Sequence, residues 1–240
     1  MVFNIIKIRK SDDRFLSRRD WLHSMHTFSF AEHRDPKWDN FGNIRVINED
    51  TISPNSGFNM HSHCDMEIIT VVIKGAITHR DSLNNSGKIY ENEVQVMSAG
   101  TGITHSEKNE ENKPCKLFQI WIYPKKSNLK PEYKQTSFKN GIGENLIIDY
   151  LDAENKFLIN QDISLWRCKY KPIKDKKLPL KIDKYNWIQI IEGNLLLKSK
   201  ASNFCLESGD GLGFEVNYYD DVSIDTEKEL DFLLFSMPSL

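Results

Sequence analysis

Two short runs hold most of the side chains in this sequence that could do chemistry. The first is Gly57-Phe58-Asn59-Met60-His61-Ser62-His63-Cys64-Asp65-Met66-Glu67, and the second is Gly100-Thr101-Gly102-Ile103-Thr104-His105-Ser106-Glu107. On a β-strand, residues two apart share a face. His61 and His63 therefore present both rings to one side, while Ser62 and Cys64 turn to the other, which removes Cys64 as a ligand. His105 and Glu107 obey the same parity. If the two strands face one interior, three imidazoles and a carboxylate converge on a single metal, with positions left for water or substrate. These borderline to hard donors suit Fe(II), Mn(II), Ni(II), Co(II), Cu(II) or Zn(II), and availability rather than donor type ranks those ions. Gly100 and Gly102 let the backbone turn sharply ahead of His105. An isolated His-x-His matches often by chance, whereas the added Gly-x-Gly-x-x-His-x-Glu in a β-rich chain makes a site.

The elements that must position these residues are bounded by composition. A chain of 240 residues can bury one large β domain or two small ones. Its four cysteines have no CxxC or CxH spacing, which argues against a zinc cage and for free thiols in a reducing, cytoplasmic setting. The apolar run at the N-terminus is shorter than a secretory segment requires, and no stretch reaches the length of a membrane span. With 32 basic and 34 acidic residues, no charge bias draws the chain to nucleic acid or acidic lipid. The expected partner is a small molecule, and the chain is expected to be a monomer.

Alternation predicts strands. Residues 1–10 read as a half-buried edge strand with Ile6 and Ile8 on its apolar side. Residues 21–30 read as a strand with His26, Phe28 and Phe30 on one face, either core or the mouth of a pocket. Further strands are expected over 42–48, 60–73, 76–81, 94–97 and 117–123, with turn clusters between them. His23 and His33 are expected at the surface or in loops, and His79, ahead of Arg80-Asp81-Ser82, as a residue that stabilises a turn. Lys125-Lys126 and residues 174–177 read as solvated charge.

This spacing predicts an all-β fold of two small barrels or sandwiches. Residues 1–123 would form the first, 124–140 a Lys- and Pro-containing connector, and 141–240 the second. Glu192-Gly193-Asn194 echoes Lys74-Gly75-Ala76, as a repeated β domain would. All seven histidines lie between His23 and His105, so the second domain cannot hold a site of this kind.

The spacing Gly57…His61-x-His63-x3-Glu67…Gly75, followed by Gly100-x-Gly102-x2-His105-x3-Asn109, resembles the two motifs of the cupin superfamily. The blocks Trp21-Leu22, His26-Thr27-Phe28-Ser29-Phe30, Phe41-Gly42, Arg45-Val46-Ile47-Asn48-Glu49-Asp50, His79-Arg80-Asp81-Ser82-Leu83 and Met97 to Glu107 look more closely like the pirin family, densely over residues 20–123. The resemblance implies a bicupin, two jelly-roll-like barrels in one chain, with one metal on His61, His63, His105 and Glu107. Iron is the first expectation, with Mn, Ni, Co, Cu and Zn as alternatives. Glu67 stands seven residues before Gly75 where six is usual in cupins. The pirin family shares that shift and takes its carboxylate from the His-Ser-Glu segment, which assigns Glu107 as ligand and leaves Glu67 to orient a ligand ring. The resemblance further implies a quercetin 2,3-dioxygenase-like enzyme that opens a flavonol with O2, Glu107 being its general base. The alternatives are a metal-dependent regulatory protein acting through protein contacts and a metal-storing or structural cupin.

Overall fold

Apolar–polar alternation punctuated by Gly, Asn and Asp turns gives strands along the whole chain. The computed structural model describes residues 3–139, 141–149, 159–180, 184–199, 202–216 and 222–239. Among these, the only helical residues are two 3-10 turns, Ser11–Asp13 and Pro36–Trp38. The chain opens with β1 (Phe3–Arg9), β2 (Phe15–Arg19), β3 (Leu22–His26) and β4 (Ile44–Ile52). Next come β5 (Ser56–His63), β6 (Glu67–Lys74), β7 (Ala76–Asp81), β8 (Ser86–Tyr90), β9 (Glu93–Ser98), β10 (Ile103–Asn109), β11 (Cys115–Ile122) and β12 (Glu132–Ser137). The rest holds β13 (Gly143–Asp149), β14 (Ser164–Tyr170), β15 (Ile173–Lys177), β16 (Lys184–Glu192), β17 (Asn194–Lys198), β18 (Asn203–Glu207), β19 (Gly211–Val216), β20 (Ser223–Thr226) and β21 (Leu230–Pro238).

The strands sort into two compact units. The histidine-bearing unit spans residues 15–138 with the described part of 150–161, and combines a seven-stranded sheet, β12-β9-β6-β11-β4-β3-β2, with a four-stranded sheet, β5-β10-β7-β8. Ile52, Val72 and Leu117 from the first sheet and Ile77 and Ile89 from the second share one core, each at most 1% exposed. The histidine-free unit combines β1-β19-β16-β21-β14-β13 with β15-β20-β17-β18 around a core that includes Phe214, Phe232, Ile188 and Leu197. Each such side chain contributes roughly 1.5–3 kcal/mol by burial. The fold is all-β and bicupin-like, though each half is a pair of open sheets rather than a closed ladder.

Three segments differ from the reading of the sequence. The strand expected over 60–73 is two strands in different sheets, because Asp65 takes a left-handed conformation (φ 46°) between β5 and β6. That conformation is held: the Asp65 N–H donates to the Gly100 carbonyl and its carboxylate accepts from the Asn128 N–H, at 2.9 and 2.6 Å. The stretch 124–140, expected as connector, carries β12, which pairs with β9. Being a polar edge strand, β12 has no apolar alternation to reveal it. Finally, β1 is an edge strand, but of the histidine-free unit, and its apolar side is reversed: Ile6 and Ile8 are 37% and 41% exposed while Arg9 is 4%. A bulge between Ile5 and Lys7 interrupts its pairing with β19.

Candidate functional site

The site is built on two neighbouring strands of the four-stranded sheet. In the β5–β10 ladder His105 stands opposite His61, and His63 follows two residues along β5 on the same face. Ser62 and Cys64 are exposed on the other face, as parity requires. The three rings meet with centroids 4.5–4.9 Å apart, and one nitrogen from each lies within 4.8 Å of the others. Burial, with the neighbouring imidazoles adding to it, pushes His63 down to about 4 and His105 down to about 3. Both rings are therefore neutral at pH 7, as metal ligation requires.

The Nε2 atoms of His63 and His105 are buried and have no hydrogen-bond partner among the described residues. Leaving such an atom unpaired costs about 1–3 kcal/mol. The cost is understandable where a cation is to be bound, and the neutral imidazole set fits a divalent transition metal. His61 is oriented for the same task, since its Nδ1 lies 2.7 Å from the Asn59 carbonyl. A carbonyl only accepts, so Nδ1 carries the proton and Nε2 the lone pair.

Glu107, expected as the fourth ligand, is buried on β10 but does not join the three-histidine group. It lies instead within ligand distance of His105 and His79, at a point where β10 bulges against β5 between His105 and Glu107. Thr70 Oγ1 (3.0 Å) and Gln119 Nε2 both donate to its carboxylate. Glu67 is not beside a ligand ring: it accepts from Ser98 Oγ and Asn160 Nδ2, at 2.7 and 3.2 Å.

In front of His61 and His63 lies a cavity of about 210 Å³. Phe30, Phe58 and Trp121 supply its aromatic walls, with the Trp121 ring edge-to-face on His63 at 4.9 Å. His26 also lines this cavity, whereas Phe28 is fully buried, so the expected aromatic face divides between pocket and core. The division arises because β3 ends at His26. Beside Leu22 and Ala31, the rest of the wall is polar. Ser24 donates to the buried Asp50, and His26 Nδ1 meets Asn48 Oδ1 at 2.8 Å. Burial pushes the Asp50 carboxyl up to about 7, against the hydrogen bond from Ser24.

Several of these residues carried no signal in the sequence. Gln119 and Trp121 read there as ordinary strand positions, and Asp50 only as the end of the Arg45-to-Asp50 block that resembles the pirin family. His79, expected to stabilise a turn, is fully buried on β7 behind His105 and reaches the following turn only through its contact with Asp81. Its spacing to Asp81, two apart on one strand, was the available clue.

Comparison with known proteins decides the family. Residues 9–122 match the model described as "Pirin", and residues 146–237 match "Quercetinase C-terminal cupin domain". A protein of Escherichia coli K12 named quercetin 2,3-dioxygenase is 36% identical over 240 residues, covering 98% of this chain and 99% of its own. The chain belongs to the pirin family. A pirin-like protein of Caulobacter vibrioides is 50% identical over 121 residues, 50% of this chain and 52% of its own. Among solved structures, the Escherichia coli bacterial pirin YhhW in complex with nickel(II) superposes with a TM-score of 0.87 at 33% identity, covering 98% of this chain and 99% of that one. Among the described residues, no helix is long and apolar enough to cross a membrane.

Proposed function

We propose that this pirin is a metal-dependent dioxygenase that opens a flavonol such as quercetin with O2, its metal held by His61, His63 and His105, with Glu107 moving in from its place beside His105 as the fourth ligand. The observation that carries this reading is the pair of buried, unpartnered Nε2 atoms on His63 and His105, beside a cavity with aromatic walls. The names of full-length relatives support the choice of substrate. A divalent ion there, iron by first expectation, would supply Lewis acidity that lowers the pKa of a hydroxyl ligated to it.

The chain's own residues do the rest. Phe30, Phe58 and Trp121 offer apolar walls to a planar ligand and exclude water from it. Glu107, held in place by Thr70 and Gln119, accepts the proton of the flavonol 3-hydroxyl as general base. Gln119 also lines the cavity, so it couples the position of that carboxylate to the ligand.

The test uses purified protein reconstituted with Fe(II) or Ni(II), mixed with quercetin under oxygen. Loss of the flavonol absorbance with release of carbon monoxide is expected, and Glu107→Gln should slow it by about 10²–10⁴-fold. Unchanged absorbance with the wild-type protein, or an unchanged rate in Glu107→Gln, overturns the reading.

A further inference from the structure

We infer that Asp81 and His79 form a two-residue relay that fixes the tautomer of His105, holding its proton on Nδ1 so that the Nε2 lone pair is free for a cation. The inference rests on the reading of His105 as a metal ligand, and it makes Asp81 and His79 positioning residues.

The argument begins at the carboxylate. Asp81 closes β7 with its side chain buried. Its Oδ1 accepts from the N–H groups of Leu83 and Asn85 at 2.9 and 3.0 Å, and its Oδ2 accepts from Asn85 Nδ2 at 2.9 Å. A carboxylate fixed by that many donors acts only as an acceptor. His79 Nε2, 3.1 Å from Oδ2, must therefore be the donor. In a neutral imidazole the other nitrogen then carries the lone pair.

That nitrogen, His79 Nδ1, lies 3.4 Å from Nδ1 of His105. Two lone pairs cannot face each other across that distance, so His105 Nδ1 donates. Its Nε2 is left bare, and this is the atom that is buried with no partner among the described residues. His79 has no freedom to turn away: it is fully buried and stacked on Tyr133, centroids 4.5 Å apart and planes 22° from parallel. Both of its nitrogens are used, one by Asp81 and one by His105, which sets it behind the coordination sphere rather than in it. His61 reaches the same tautomer through a backbone carbonyl. The relay is the side-chain counterpart of that contact, and the form of outer-shell orientation that substitution can reach.

The experiment is long-range ¹H–¹⁵N NMR of the full chain, stripped of metal by chelation, at pH 7, together with Ni(II) affinity by chelator competition. The wild-type spectrum should show His105 protonated on Nδ1 and His79 on Nε2. Asp81→Asn should mix or reverse the His105 tautomer and weaken Ni(II) binding by about 10–100-fold, and His79→Gln should weaken it similarly. His105 protonated on Nε2 in the wild type overturns the relay, and that spectrum decides whether or not the variants fold. Ni(II) affinity within twofold of wild type in Asp81→Asn also overturns it. If the tautomers are as stated and the wild type binds no Ni(II), the relay stands and the metal reading fails.

Discussion

His63 illustrates how the site works against the fold that carries it. Its Nε2 is buried without a partner among the described residues, and its ring is kept neutral by burial and by His105 and His61. Both features weaken the metal-free protein. A side chain of similar shape with no polar atom removes them, and the edge-to-face contact with Trp121 remains available to a phenyl ring. His63→Phe is therefore expected to unfold at higher denaturant than wild type when metal-free, by about 1–3 kcal/mol, and to lose Ni(II) binding. The gain should depend on pH. The folded His63 pKa, about 4, lies below the unfolded value of 6.5, so between these the unfolded chain binds a proton that the folded one does not, and wild type loses stability as pH falls. The advantage of His63→Phe should widen from pH 6.5 down to about 4, measured by urea denaturation with chelator present. A constant difference would show that His63 is not held neutral. At this scale the ligand types were legible, because imidazoles two apart on a strand are joined by a second run, Gly-x-Gly-x-x-His-x-Glu, of matching parity. The groups that orient them were not: Gln119 and Asp81 act through folded geometry, and only Asp81 stands in a spacing that hints at it.

The three histidines meet because β5 and β10 lie side by side, and one glycine permits that approach. Gly57 on β5 has φ +149°, and a Cβ there would fall 2.2 Å from the Glu107 carbonyl oxygen and 2.8 Å from Lys108 Cα. Both are backbone atoms that a rotamer change cannot move. Gly102, ahead of His105, also has positive φ (+135°), but a Cβ there meets nothing within 4 Å. Gly102→Ala should then cost only backbone strain, about 1–3 kcal/mol. Gly57→Ala adds a clash that pushes β5 off β10 at the bulge beside the ligands. It should lose more stability than Gly102→Ala in urea and also weaken Ni(II) binding, while Gly102→Ala holds Ni(II) nearly as wild type does. Equal effects from the two substitutions would contradict this account. Most strands with one apolar face were legible, since period-two alternation follows from burial on one side. The break at Asp65 and the strand β12 were not, because the first has no Gly or Pro in its His-Ser-His-Cys-Asp-Met-Glu run to mark a turn and the second has few apolar residues to alternate.

At the scale of the whole molecule the two units repeat one plan. The orders β9-β6-β11-β4 and β5-β10-β7-β8 recur as β19-β16-β21-β14 and β15-β20-β17-β18, each strand advanced by ten. The echo between Gly75 and Gly193 belongs to this plan: both have positive φ and join equivalent strands, β6 to β7 and β16 to β17. What alternation could not reveal is which unit a strand joins, and so β1 was legible as an edge strand but not as the edge of the histidine-free sheet. In that sheet system β15 and β20 take the positions of β5 and β10, pairing Lys176 with Ile224 and Lys177 with Ser223, and neither strand carries a histidine. Asp225 on β20 pairs with Lys198 at 2.8 Å, a partly exposed ion pair of small energetic weight. Every proposed ligand and relay residue thus belongs to the other unit, so stability and metal affinity should separate. Phe232, fully buried on β21, is a clean probe. Phe232→Ala should cost about 3–5 kcal/mol by leaving a cavity, seen as a lower urea midpoint. Ni(II) affinity, titrated well below the unfolding transition, should stay within about twofold of wild type, because the β5–β10 ladder and the Asp81–His79 relay keep their own sheet and core. A parallel loss of affinity would mean that the histidine-free unit sets the geometry of the site despite contributing no ligand to it.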